Sequence, residues 1–104
     1  MLVQINTDKN IEGHKRMNDF FEEEVKKDLA RFDELVTRIE VHLEDENGDK
    51  AGKNDKKCLI EARIEKKNPI AVTSHGDTPE KAFYDALHKI KRTLTSEKEK
   101  IKAH

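Results

Sequence analysis

Thr78-Pro79-Glu80-Lys81-Ala82-Phe83-Tyr84-Asp85-Ala86-Leu87-His88-Lys89-Ile90-Lys91-Arg92-Thr93-Leu94 opens the last quarter of this sequence and constrains how the rest folds. Thr78 is an N-cap residue, and Pro79 suits the first helical position, where its missing N–H costs nothing and its φ is already helical. Ala82, Phe83, Ala86, Leu87, Ile90 and Leu94 then recur at three- and four-residue spacings, which makes one apolar stripe. Ile101 extends that stripe, so the pattern predicts a helix of about 23 residues, roughly 35 Å long at 1.5 Å per residue. The other sides carry Lys81, Lys89, Lys91, Arg92, Lys98, Lys100 and Lys102. Over residues 79–104 there are seven Lys/Arg against four acids, Glu80, Asp85, Glu97 and Glu99. Such cations are commonly a solvated face near a helix C-terminus. Because the remainder of the chain is acidic, this is also where an anionic partner would meet the protein.

An apolar stripe of that length needs a surface to cover it, and the preceding segments supply a sheet. Residues 2–7 alternate as a short strand with Val3 and Ile5 facing inward. After an Asp8-Lys9-Asn10 turn, Asn10 is a fair N-cap for the next run. There Met17, Phe21, Val25, Leu29, Phe32 and Val36 share one face, predicting a helix of about 22–25 residues. Phe20 falls off that stripe and is expected near the edge of the sheet. The solvent side of this helix is mostly acidic: Asp19, Glu22, Glu23, Glu24, Asp28, Asp33 and Glu34 outnumber Lys15, Arg16, Lys26, Lys27 and Arg31. It is a poor phosphate binder along its length.

Residues 37–44 place Ile39, Val41 and Leu43 on one side and Arg38, Glu40, His42 and Glu44 on the other. Residues 58–65 repeat this, with Cys58, Ile60, Ala62 and Ile64 inside and Leu59, Glu61, Arg63 and Glu65 outside. One-sided strands of this kind predict an antiparallel sheet with one wet face, laced by mixed-sign cross-strand pairs. Residues 45–57 between them are rich in Gly, Asn, Asp and Lys and read as a surface loop. Its Lys50, Lys53, Lys56 and Lys57 are either solvated or a second contact for an anionic partner. Asn68-Pro69 reads as a turn, residues 70–75 as a further strand, and Gly76-Asp77 leads into the final helix. The order β-α-β-β-β-α predicts an α+β two-layer sandwich, with both helices packed on one face of a four-stranded sheet.

Length and composition set the bounds. The 104 residues fit a single domain over 1–104 with a modest core, and a charged fraction of 41% makes it very polar. Net charge is −1, so any nucleic-acid role must rest on a local patch rather than on overall basicity. One cysteine excludes an internal disulfide and a CxxC zinc pattern. No run approaches the roughly 18 apolar residues of a membrane span. No signal-peptide pattern precedes the first strand, so a cytoplasmic location is expected.

Catalytic chemistry finds little footing. Cys58 alternates onto the buried side, away from the base and positive charge that a thiolate nucleophile needs. Asp45-Glu46-Asn47-Gly48-Asp49 starts like a calcium loop, but Lys50 and Lys56 occupy the positions that require glycine and glutamate. Five scattered histidines form no i, i+4 ligand pair. No Gly-rich phosphate loop, nucleophile elbow or paired-carboxylate motif occurs. The expectation is therefore no enzyme, no metal and no cofactor. Stacking on single-stranded bases would need exposed rings on the sheet, and most Phe belong to the helix stripes. Backbone contact by Lys and Arg is what remains.

The order of elements, together with Asn10-Ile11-Glu12, Lys89-Ile90-Lys91-Arg92-Thr93-Leu94-Thr95 and Lys98-Glu99-Lys100-Ile101-Lys102-Ala103-His104, resembles the ribosome hibernation promoting factor and ribosome-associated inhibitor A family in its short form. The resemblance covers essentially the whole chain. It implies a fold related to double-stranded-RNA-binding domains and a non-enzymatic role. Family members bind the small ribosomal subunit between head and body, where messenger and transfer RNA would sit, and silence translation in stress or stationary phase. On this resemblance Lys89, Arg92, Lys98, Lys100 and Lys102 present charge to ribosomal RNA, joined by Arg31 from the first helix. Lys81 and Lys91 complete the candidate set on the same helix. Asp28 and Glu34 stand where the family often has Lys or Arg, which motivates an alternative: a stress-related protein-interaction module of the same fold with weak or no RNA binding. The long family form adds a C-terminal dimerisation domain; with the sequence ending at His104, a monomer with no small-molecule substrate and no membrane partner is expected.

Overall fold

The fold was obtained as a computed structural model, which describes residues 1–8, 11, 14–46 and 55–102, apart from the side chains of His14 and Lys102. The Asn10 cap, Glu12, Lys50 and Lys53 with most of their loop, the Lys102 side chain and Ala103-His104 lie outside the described residues. The elements run β1 (Leu2–Thr7), α1 (His14–Asp28), a short 3-10 turn (Ala30–Phe32), β2 (Val36–Asp45), β3 (Lys56–Ile64), β4 (Ile70–Gly76) and α2 (Pro79–Lys102). This is the expected α+β arrangement, a four-stranded sheet with two helices.

The sheet order is β1-β2-β3-β4. Strands β2, β3 and β4 form the expected antiparallel meander, but β1 lies parallel to β2, so the sheet is mixed. A parallel pair needs a crossover connection, and α1 supplies it. The register pairs Val3 with Ile39 and Ile5 with Val41, then Ile39 with Ala62 and Val41 with Ile60. Inward positions thus line up across the sheet, and Val3, Ile39, Val41, Leu43, Cys58, Ile60, Ala62 and Ile64 are buried as their alternation predicts. Both helices cover this face, α1 over β1 and α2 over β3 and β4. They meet at Phe21 and Phe83, whose rings stack at 3.9 Å with both side chains fully buried. Burying each ring contributes about 1.5–3 kcal/mol.

The cap of α2 forms as its sequence requires: the Lys81 backbone N–H donates to Thr78 Oγ1 at 3.1 Å. Gly76 lets the strand end run close under this helix, since a Cβ there would lie 2.9 Å from the Ala82 backbone nitrogen. Ala82, Phe83, Ala86, Leu87, Ile90 and Leu94 are all buried, but Ile101 is 42% exposed, so the buried stripe stops short of it.

The first helix differs more. It ends at Asp28, and Leu29 to Phe32 tighten into a 3-10 turn closed by Phe32 N–H donating to Leu29 O at 2.9 Å. Val36 is the first residue of β2, not the last of a helix. The stripe persisted in sequence because a three-residue spacing, Leu29 to Phe32, suits a 3-10 turn as well as an α-helix. The chain must also reverse before Val36 for β2 to lie beside β1. The β3–β4 turn likewise falls earlier than Asn68-Pro69. Lys66 takes it with φ 66°, and Lys67 N–H donates to Ile64 O at 3.1 Å. Asn68-Pro69 instead falls after the turn, immediately ahead of β4. Lys56 and Lys57, read as loop, belong to β3, and Lys56 bridges Asp45 (3.5 Å) and Asp55 (2.9 Å) at the base of that hairpin.

Candidate nucleic-acid interface

Because α2 lays one side on the sheet, its cations divide between two flanks. On the flank facing α1, Lys91 Nζ pairs with Asp28 Oδ1 at 2.9 Å. Nearby, Arg31 donates to Thr95 Oγ1 and stands 4.7 Å from the centroid of the Phe32 ring. Lys98 Nζ donates to the Arg31 carbonyl at 3.0 Å and lies 5.8 Å from the same ring. Arg31 therefore reaches α2 from the 3-10 turn rather than from the first helix.

The flank facing β4 is different in character. Lys89 Nζ donates to the Thr73 carbonyl of the edge strand at 2.8 Å, which fixes the ammonium beside it. Arg92 has no ion-pair partner among the described residues. The two line a groove of about 400 Å³ together with Val72, Thr93 and Ser96. Thr93 and Ser96 add hydroxyls beside the cations, each four residues after one of them. They were not among the expected residues, although the Lys89–Thr93 and Arg92–Ser96 spacings on one helix face were there to be read. Of the remaining candidates, Lys81 pairs with Asp85 at 3.4 Å and Lys100 with Glu97 at 3.7 Å. The expected set thus separates: Lys81, Lys91 and Lys100 hold carboxylate partners, whereas Lys89, Arg92, Lys98 and Arg31 have none among the described residues.

The outer face of the sheet competes poorly for an anion. On the outer sheet face Glu40 lies between Arg38 (3.5 Å) and Arg63 (3.7 Å), and Arg63 also meets Glu61 at 3.3 Å. Only Arg63–Glu40 is a cross-strand pair of the kind expected there; Arg38–Glu40 and Arg63–Glu61 run along a single strand, and the four charges neutralise one another. None of the five aromatic rings stands on that face. Phe20, expected at the sheet edge, is half exposed on α1, with its ring 6.0 Å from that of Phe21. Cys58 is fully buried, and burial pushes its thiol up to about 12, so it stays protonated at neutral pH. Among the described residues no group of three or more His, Cys, Asp or Glu side chains is gathered to hold a metal, and no helix is long and apolar enough to cross a membrane.

Residues 4–102 match the profile of the family described as sigma 54 modulation protein / S30EA ribosomal protein. The chain belongs to this family. Two solved structures share this chain's fold over nearly the same span. The N-terminal domain of Thermus thermophilus Protein Y is 19% identical with a TM-score of 0.64, over 90% of this chain and 96% of that one. A ribosomal subunit interface protein from Coxiella burnetii is 15% identical with a TM-score of 0.68, over 94% and 98%. At these identities the likeness is one of fold. No curated protein sequence matches the chain.

Proposed function

We propose that this S30EA-family chain is a ribosome-binding inhibitor of translation, a hibernation factor that acts by occupancy and not by catalysis. Its partner is the small ribosomal subunit, met through ribosomal RNA phosphates, and its place is the cytoplasm under stress or in stationary phase. The observation that carries this reading is the α2–β4 groove, where Lys89 and Arg92 stand beside two hydroxyls and have no carboxylate partners among the described residues. Family membership and the printed description of the Coxiella protein as a ribosomal subunit interface protein support the choice of a ribosomal partner. Lys98 and Arg31 extend the contact from the other flank, while Lys81, Lys91, Lys100 and Lys102 contribute secondary charge. A helix seated in this way excludes messenger and transfer RNA sterically.

The test is co-sedimentation with purified small subunits. Replacing both Lys89 and Arg92 with Glu abolishes it, while far-UV circular dichroism stays that of the parent. Undiminished co-sedimentation of the folded variant overturns the placement of the contact. The alternative, a protein-interaction module of the same fold, draws on Asp28 occupying Lys91. It predicts that captured partners survive ribonuclease treatment, whereas the ribosomal reading predicts that they are released.

A further inference from the structure

Two of the five aromatic rings are left facing solvent, and they are neighbours of one carboxylate. Phe20 is 50% exposed and Tyr84 40%, although Phe21 and Phe83 beneath them are fully buried. The Tyr84 ring stands edge-on to both, at 5.1 Å from Phe83 and 6.4 Å from Phe21. The Phe20 ring is tilted against that of Phe21, 6.0 Å away. Together they make an aromatic platform across α1 and α2 whose inner half is core and whose outer half is surface. Glu24 lies one turn beyond Phe20 on α1, and its Oε1 accepts from the Tyr84 hydroxyl at 2.8 Å. Its second oxygen has no hydrogen-bond partner among the described residues. Glu80, one turn before Tyr84, and Glu23, beside Phe20, have no cation partner among them either. Burial, the hydrogen bond to Glu24 and the charges of Glu24 and Glu80 push the Tyr84 phenol up to about 12, so it remains a donor at neutral pH. A groove of about 240 Å³ continues the platform along the helix seam, lined by Glu24, Lys27, Asp28, Tyr84 and Leu87.

An aromatic face next to a carboxylate with a free oxygen suits a planar cation. A guanidinium can stack on the ring and fork to the carboxylate, which an ammonium cannot do equally well. Around the patch Glu23, Glu24 and Glu80 outnumber Lys27, the one cation lining the seam groove, so phosphate is repelled on balance and a nucleic acid is the wrong occupant. We infer that the Phe20–Glu24–Tyr84 patch docks an arginine-bearing segment of a basic protein partner. Tyr84 is on the α1 side of α2, while Lys89 and Arg92 face β4, so the two surfaces can be occupied together. A chain of net charge −1 that carries both can bridge an anionic and a cationic component of one assembly.

The probes are fluorescein-labelled nona-arginine and nona-lysine, titrated into the full chain by fluorescence anisotropy, with amide and aromatic shifts followed by NMR. Nona-arginine binds the more tightly and shifts Phe20, Glu24 and Tyr84. Phe20→Ser and Glu24→Gln each weaken it at least tenfold; Gln keeps an acceptor for the Tyr84 hydroxyl, and Phe20 is exposed, so both variants fold. Glu34→Gln, an exposed acid away from the patch and beside Arg31 and Lys98, leaves peptide binding unchanged, and small-subunit binding is unaffected by either patch variant. Equal affinity for the two nonamers, or shifts centred on other acids, overturns the inference. So does loss of small-subunit binding with peptide binding intact, which would assign the patch to RNA. Concentration-dependent self-association abolished by these substitutions would assign it to a second copy, and overturns it too.

Discussion

If Lys89 and Arg92 meet phosphates, converting both to Gln removes two counterion-releasing contacts and little else. Each phosphate contact contributes about 0.7–0.9 to the slope of log affinity against log salt, the lower figure for single strands. The double variant should therefore show a slope shallower by about 1.4–1.8. Between 50 and 200 mM salt, the range over which such slopes are commonly compared, its affinity falls by a factor about 7–12 smaller than that of the parent. The fold is spared because Arg92 has no ion-pair partner among the described residues. Lys89 gives up one exposed hydrogen bond to the Thr73 carbonyl, worth about 0.5–1.5 kcal/mol. Lys91→Gln is the control. Its ammonium already sits 2.9 Å from Asp28, so its loss changes the slope by less than one full contact. The assay is anisotropy with a labelled small-subunit RNA fragment at five salt concentrations, with thermal melts to confirm folding. An unchanged slope in the double variant, or an equal change in Lys91→Gln, refutes the division of the cations into free and engaged sets.

Two further outcomes test the fold. Lys66 holds a left-handed conformation at φ 66°, which costs a side-chain-bearing residue about 1–2 kcal/mol. Lys66→Gly relieves this and gives back part of it as chain entropy, so urea denaturation should show a net stabilisation of about 0.5–1 kcal/mol; destabilisation would mean the turn is not strained. Cys58 holds its proton up to about 12 when folded, against an ordinary value of 9.0. Between those values the unfolded chain binds fewer protons than the folded one, so stability is full below pH 9 and falls as pH rises through the window, by at most about 1.4 kcal/mol per pH unit from this group. Cys58→Ala flattens that decline, and labelling of the native thiol proceeds at the rate of unfolding; fast labelling at neutral pH would contradict its burial.

The strands were legible because a period of two, with one dry face, leaves few alternatives: Ile39, Val41, Leu43, Cys58, Ile60, Ala62 and Ile64 are buried as their spacing requires. So was the start of α2, where Thr78 and Pro79 act locally and need no tertiary partner. The end of α1 was not, since Leu29 and Phe32 satisfy both an α-helix and a 3-10 turn, and no Gly or Pro marks the break. Lys66 could not be foreseen as the turn residue either, because its left-handed backbone is imposed by the pairing of β3 with β4. At the candidate site the sequence supplied the cations and their helix. It could not say that Asp28 would engage Lys91, since Asp28 is far away along the chain; the Lys81–Asp85 and Glu97–Lys100 pairs, at helical spacings, were there to be read.

The sequence by itself determined which residues are apolar, at what period, and where the positive charge is concentrated, because these are properties of order along one chain. Only the tertiary structure decided that β1 runs parallel to β2, that α2 divides its cations between two flanks, and that Phe20, Glu24 and Tyr84 share a surface. Those outcomes depend on which segments lie side by side, and a side chain's charge is available to a partner only if no neighbour from another element has already met it.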